Sequence, residues 1–95
     1  MFKVLLEIIY EVQPSRHEEY LNLINELRAG YNDSKIAKLE VFEVQGSPNN
    51  FMEIYTYDSK ESFQSADDSS FDDIVAKIND CLVADKLRSY TLNQI

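Results

Sequence analysis

The sequence predicts an α+β fold in which a four-stranded antiparallel sheet carries helices on one face only. Four segments alternate in side-chain character with the period of a strand, two segments repeat apolar residues at helical spacing, and the order along the chain is β-α-β-β-α-β. Right-handed crossovers place both helices on the same face, which is the ferredoxin-like arrangement. The predicted strands cover residues 2–12, 37–46, 51–57 and 87–93, and the predicted helices cover 14–30 and 70–83.

The first strand has two different faces. One alternating set is wholly apolar and is expected to face the main core: Val4, Leu6, Ile8, Tyr10 and Val12. The other set contains Leu5 and Ile9 beside charged residues, so we expect the opposite face of the sheet to be partly covered as well.

The remaining elements are predicted from local signals. Pro14 marks the start of the first helix, and Gly30 is expected to end it, because glycine takes the left-handed conformation that terminates helices. Turn-forming residues at 46–50 join the second and third strands as a hairpin. Asp58 or Ser59 is expected to cap a short helical turn. The second main helix is predicted from an apolar stripe of helical period: Phe71, Ile74, Val75, Ile78 and Leu82.

Composition excludes several classes of protein. Ninety-five residues, 44% of them hydrophobic, predict one domain covering 1–95 that forms a core without a metal or disulfide. Seventeen acidic residues against nine basic ones give a net charge of −8, which repels nucleic acids and anionic membranes. Charges at Lys3, Glu7 and Glu11 interrupt the apolar N-terminal segment, unlike a signal peptide or a membrane span. The single cysteine, Cys81, excludes an internal disulfide and favours a cytoplasmic location.

The face of the sheet without helices is predicted to be apolar. Its candidate residues are Leu5, Ile9, Phe51, Tyr55 and Tyr57, beside the acids Glu7, Glu11 and Glu53. Exposed apolar surface of this size usually marks an interface. The sequence therefore predicts a homodimer of two sheets packed face to face, with the acids at the rim or paired.

Four aromatic residues are candidates for a ligand pocket between sheet and helices: Tyr10, Phe42, Phe63 and Tyr90. A tyrosine hydroxyl there would bind a phenol or quinone oxygen, and the competing interpretation is a packed aromatic core. His17, the sole histidine, is expected to be exposed, since a catalytic base needs an orienting partner and a cleft. Cys81 is expected to be a buried, inert thiol.

Acidic residues on the strands do not predict a metal site. Such side chains recur at Glu7, Glu11, Glu40, Glu43 and Glu53. Alternating acids on strands are usually solvated or interfacial, so no metal ion is expected.

Residues 51–71, and above all the run YDSKESF at 57–63, resemble the third strand and following helix of the antibiotic biosynthesis monooxygenase-like family, which belongs to the dimeric α+β barrels. The resemblance implies a dimer paired through its sheets and a monooxygenase acting on an aromatic, polyketide-like molecule. An electron-rich substrate anion can itself pass an electron to oxygen, so the resemblance implies no cofactor.

Haem-degrading members of that superfamily use an asparagine in the first strand, a tryptophan in the short helix and a histidine as iron ligand. Here the first strand lacks asparagine, and Ala66 and Val75 stand at about the other two positions. Without an axial imidazole, haem degradation is not expected. Two functions stay open: an enzyme of the monooxygenase type, or a non-catalytic homodimeric module that binds a small ligand or a protein.

Overall fold

The computed structural model describes residues 2–95, so Met1, which the predicted domain includes, lies outside the described residues. The predicted α+β fold is confirmed. Its elements are β1 (Val4–Glu11), α1 (His17–Ser34), β2 (Lys38–Glu43), β3 (Asn50–Tyr57), α2 (Lys60–Ser65), α3 (Asp72–Asp80) and β4 (Arg88–Asn93). Short 3-10 turns, Pro14–Arg16 and Ser69–Phe71, lead into α1 and α3. The strands lie in the order β2-β3-β1-β4, and all neighbours are antiparallel.

Helix α1 does not end at Gly30, so this prediction is wrong. The helix continues to Ser34, and Lys35 supplies the left-handed residue at its end, with φ of 61°. Gly30 is needed inside the helix because the ring of Phe71 packs directly against it. A Cβ atom at position 30 would lie 2.6 Å from Cε1 of Phe71.

The short helix α2 is capped as expected from the residues that precede it. The side-chain oxygen of Ser59 accepts a hydrogen bond from the backbone N–H of Ser62, at 3.0 Å. This bond satisfies one of the free N–H groups at the start of the helix. Ser59, and not Asp58, is therefore the cap.

The sequence-based prediction places the side chains of β3 on the wrong faces of the sheet. Phe51, Tyr55 and Tyr57 are buried beneath the helices. They pair with Tyr10, Leu6 and Val4, which also face the helices. Both alternating sets of β3 contain large apolar residues, so the register with β1, and not the composition of the strand, decides which set is covered.

The face of the sheet without helices carries a different set of large side chains. Leu5 and Ile9 do lie on it, as predicted, and pairing across the sheet adds Phe42, Met52, Ile54, Tyr90 and Leu92. Phe42 is 50% exposed and Tyr90 is 56% exposed. We call this surface the open face.

Strand β4 is exposed along its whole length. One of its sides belongs to the open face, and the helices do not cover the opposite side. None of the helices in residues 2–95 combines the length and the apolar character that crossing a membrane requires.

Candidate functional site

A groove of about 340 Å³ lies between α1 and the strands β2 and β3. Its apolar wall consists of Leu21 and Ile24 from α1, Val41 from β2 and Phe51 from β3. This volume falls in the range of small-molecule sites in proteins, which are mostly apolar with a few polar groups. We call it the His17 groove, after the imidazole at one of its ends.

His17 is half-buried and not exposed as expected. Its Nδ1 atom lies 3.2 Å from the side-chain oxygen of Asn49, a residue of the turn between β2 and β3. With Nδ1 as the donor to this amide oxygen, a neutral ring keeps its lone pair on Nε2. The ring also packs near Phe51, with 5.9 Å between ring centroids. His17 therefore has an orienting partner and a cleft.

Two charged groups complete the polar lining of the His17 groove. Arg28 lines it about three turns further along α1 and donates a hydrogen bond of 2.6 Å to the side-chain oxygen of Asn25. Glu43 of β2 lines the opposite wall. A ligand in the groove thus meets the imidazole of His17 at one end, the positive charge of Arg28 at the other and the negative charge of Glu43 on the opposite wall.

A second group of chemical interest lies in the core, behind the wall of the groove. Glu53 is only 4% exposed, and both of its carboxyl oxygens accept hydrogen bonds from tyrosines. The Tyr10 hydroxyl donates to Oε2, and the Tyr55 hydroxyl donates to Oε1 at 2.6 Å. The hydroxyls of Tyr10 and Tyr20 are 2.7 Å apart, which extends the chain of hydrogen bonds to α1. We call these four residues the Glu53 cluster.

Burial shifts the proton equilibria of the Glu53 cluster. It raises the pKa of the Glu53 carboxyl, although the two tyrosine donors act in the opposite direction. Burial, together with the negative charge of Glu53, raises the pKa of the Tyr10 and Tyr55 hydroxyls. The tyrosines therefore stay protonated and remain donors to the carboxyl group.

Beside the Glu53 cluster is a smaller space of about 60 Å³, between β1 and β3 on one side and α1 and α3 on the other. We call it the small cavity. Tyr10, Glu53 and Tyr55 form its polar wall. The rest of the wall is mostly aliphatic: Ile8, Leu27, Val75, Ile78 and Leu87, with Asn79 beside them.

The structure places the four predicted pocket residues in different surroundings. Tyr10 lines the small cavity. Phe63 packs edge-on against Tyr57 at the edge of the core, with 5.0 Å between ring centroids. Phe42 and Tyr90 lie on the open face, so assigning them to a pocket beneath the helices is wrong. Side chains alternate between the two faces along a strand, and Phe42 in β2 and Tyr90 in β4 occupy positions that point away from the helices.

Sequence reasoning missed two functional candidates. The sequence-based prediction places Glu53 on the open face, yet Glu53 shares its buried face of β3 with Phe51, Tyr55 and Tyr57. An acid alternating with three aromatic residues was the available signal for a buried carboxyl group. The sequence predicts Asn49 only as a turn former, and no signal in the sequence connects it with His17.

Cys81 is a buried, free thiol, and burial raises its pKa, which lowers its reactivity. No set of three or more His, Cys, Asp or Glu residues within 2–95 is arranged to hold a metal ion. The candidate chemistry thus lies in the His17 groove and the Glu53 cluster.

The fold and these two sites define a small α+β protein with an aromatic-rich interior between its sheet and helices. Comparison with solved structures shows which proteins share this fold. A conserved protein from Methanosarcina mazei Go1 superposes with a TM-score of 0.87 at 14% identity, over 100% of this chain and 95% of the other.

Monooxygenases are found among the other similar structures. An antibiotic biosynthesis monooxygenase has a TM-score of 0.78 at 18% identity, over 100% of this chain and 99% of the other. A mutant of SnoaB, a cofactor-independent oxygenase from Streptomyces nogalater, has a TM-score of 0.77 at 10% identity, over 95% and 90% of the two chains. No protein-family model matches the sequence, and no curated protein matches it. The chain therefore has the fold of the antibiotic biosynthesis monooxygenases, and the likeness is one of fold.

Proposed function

We propose that this protein binds an electron-rich hydroxyarene in the His17 groove and oxygenates it without a cofactor. The observation that carries the proposal is the imidazole of His17, held by Asn49 at the end of a groove of about 340 Å³. The fold shared with a cofactor-independent oxygenase supports the same reaction class.

The groove suits the binding of one or two fused aromatic rings. Leu21 and Val41, which are half-buried, offer an apolar surface for the rings. The phenolic hydroxyl would donate to Nε2 of His17, and Arg28, at the other end of the groove, would contact the face of the far ring and not the phenolate oxygen. The His17 imidazole thus takes the proton and makes the substrate a better electron donor.

The reaction that follows needs only the substrate and dioxygen. The phenolate gives one electron to dioxygen, and the resulting pair of radicals forms a C–O bond at the ring carbon para to the oxygen. The proton that His17 took returns to the peroxide by way of water, and the hydroperoxide then loses water as its O–O bond breaks and the proton on that carbon leaves. For 1-naphthol the balance is one dioxygen consumed and one 1,4-naphthoquinone and one water formed.

The test uses 1-naphthol as ligand and substrate. At 100 times its dissociation constant a ligand adds about 2.7 kcal/mol to the free energy of unfolding, which a thermal-shift assay detects. Oxygen uptake and quinone absorbance then report turnover. We expect His17→Gln to abolish uptake and leave binding within a few fold, and Arg28→Gln to weaken binding.

A matched control is Lys86→Gln, which also removes one positive charge but lies outside the groove. It should behave as the unmodified protein does. Naphthol that binds without any oxygen uptake would favour the second candidate, a non-catalytic binding module. No binding at the groove would contradict both.

We propose further that the protein forms a homodimer through its open face and acts in the cytoplasm. Leu5 and Ile9 are flanked on that face by Met52 and Ile54 of β3. Leaving such side chains in water forfeits about 1.5–3 kcal/mol for each one that a partner would bury fully. A free thiol at Cys81 supports a reducing compartment.

A further inference from the structure

We propose that the small cavity holds one molecule of dioxygen, the co-substrate of the reaction proposed above. Its role in oxygenation rests on the proposed function, whereas its capacity to bind a small apolar molecule stands on the cavity alone. Size, polarity and position lead to this inference.

The size of the small cavity excludes an aromatic ligand. Its volume is about 60 Å³. An apolar cavity of about 150 Å³ accommodates benzene, and one water occupies about 30 Å³ of the liquid. The small cavity therefore fits a molecule of two or three heavy atoms, and the hydroxyarene has to bind elsewhere.

The polarity of the small cavity favours an apolar occupant over water. A buried water molecule typically makes two to four hydrogen bonds to groups that lack other partners. Both oxygens of Glu53 already accept tyrosine hydroxyls. In the part of the chain that the structure describes, every buried side-chain nitrogen and oxygen has a hydrogen-bond partner. The remaining wall is aliphatic except for Asn79, which favours an apolar occupant such as xenon.

The small cavity lies close to solvent on one side and close to the groove on the other. Val75 and Leu87 in its wall are 36% and 44% exposed, so a gas molecule has a short path inward. Tyr10 lines the small cavity and Tyr20 lines the groove, and their rings are in edge contact with centroids 5.7 Å apart. One pair of side chains thus separates the proposed dioxygen from the proposed substrate, and dioxygen has to pass this pair before the C–O bond forms.

Xenon is the probe for the binding site, because it is apolar, small and inert. Methyl NMR spectra of the intact protein under increasing xenon pressure should show saturating shifts at Ile8, Leu27 and Ile78. The methyl groups of Leu39, buried but outside the cavity wall, should not shift. Unchanged spectra at the cavity would overturn the proposal, and so would an ordered water bonded to Glu53 in a high-resolution crystal structure.

Filling the cavity separates binding of dioxygen from binding of the aromatic substrate. Val75→Leu and Val75→Phe add volume at a partly exposed position, so at least one of them should fold normally. Both should weaken the xenon shifts several-fold and raise the KM for dioxygen, while the thermal shift with 1-naphthol stays the same. Val83→Leu, the same change outside the cavity wall, is the control.

The outcomes distinguish the two proposals. A KM for dioxygen that stays unchanged in the filled variants would overturn the role of the cavity in oxygenation. Saturable xenon binding in a protein that consumes no oxygen with 1-naphthol would contradict the proposed function and still establish the apolar site.

Discussion

The Glu53 cluster predicts a graded loss of stability when single hydroxyls are removed. Tyr10→Phe deletes the hydroxyl that contacts both Glu53 and Tyr20, so two buried polar groups lose a partner. Tyr55→Phe deletes a hydroxyl that contacts Glu53 alone. Tyr31→Phe removes a bond of 2.8 Å to Asp68, which is exposed and can be solvated instead.

The magnitudes follow from the number of buried groups left without a partner. Each such group costs about 1–3 kcal/mol, whereas an ordinary hydrogen bond contributes about 0.5–1.5 kcal/mol. We expect losses of about 2–6 kcal/mol for Tyr10→Phe, about 1–3 kcal/mol for Tyr55→Phe and about 1 kcal/mol for Tyr31→Phe. In a domain of this size each kcal/mol lowers Tm by about 4–8 °C.

Urea unfolding followed by circular dichroism measures these differences, with every variant at the same protein concentration. The midpoint should fall in the stated order, and the slope of free energy against urea should stay constant, because the surface exposed on unfolding hardly changes. Tyr90→Phe is the control, since the Tyr90 side chain is 56% exposed and its hydroxyl is solvated. A Tyr10→Phe protein as stable as Tyr31→Phe would refute the hydrogen-bonded cluster.

Three further predictions concern other parts of the molecule. Because burial raises the pKa of Glu53, the native state binds the Glu53 proton more readily than the unfolded chain does. The free energy of unfolding should therefore fall as pH rises from the ordinary carboxyl pKa towards the raised one. Urea unfolding of Glu53→Gln, measured at several pH values, should lack this slope. Gly30→Ala should destabilise the protein by about 1 kcal/mol, because overpacking against Phe71 outweighs the gain of about 1 kcal/mol in helix propensity. A raised Tm would contradict this and show that the ring of Phe71 moves away freely. Ile9→Lys should halve the mass measured by light scattering, and an unmodified protein already of 11.0 kDa would contradict the homodimer.

Much of the fold is determined by local pattern in the sequence. The order of strands and helices follows from the strand-like and helix-like periodicities of apolar residues. The faces of β1 follow from the alternation in residues 4–12, because one of the two alternating sets of side chains contains no charge. Leu5 and Ile9 lie on the open face for the same reason. The cap of α2 is equally local, since it depends on residues three apart.

The candidate sites depend on contacts that no local pattern contains. In β3 both alternating sets are largely apolar, so only pairing with β1 decided that Glu53 and Tyr55 face the helices. His17 gains its role because Asn49, thirty-two positions away, is folded against it. Gly30 serves close packing and not helix termination, because Phe71 reaches it from another segment of the chain. Periodicity determines which elements form, but tertiary packing alone determines which side chains they bring together, since that depends on register and on residues distant in the chain.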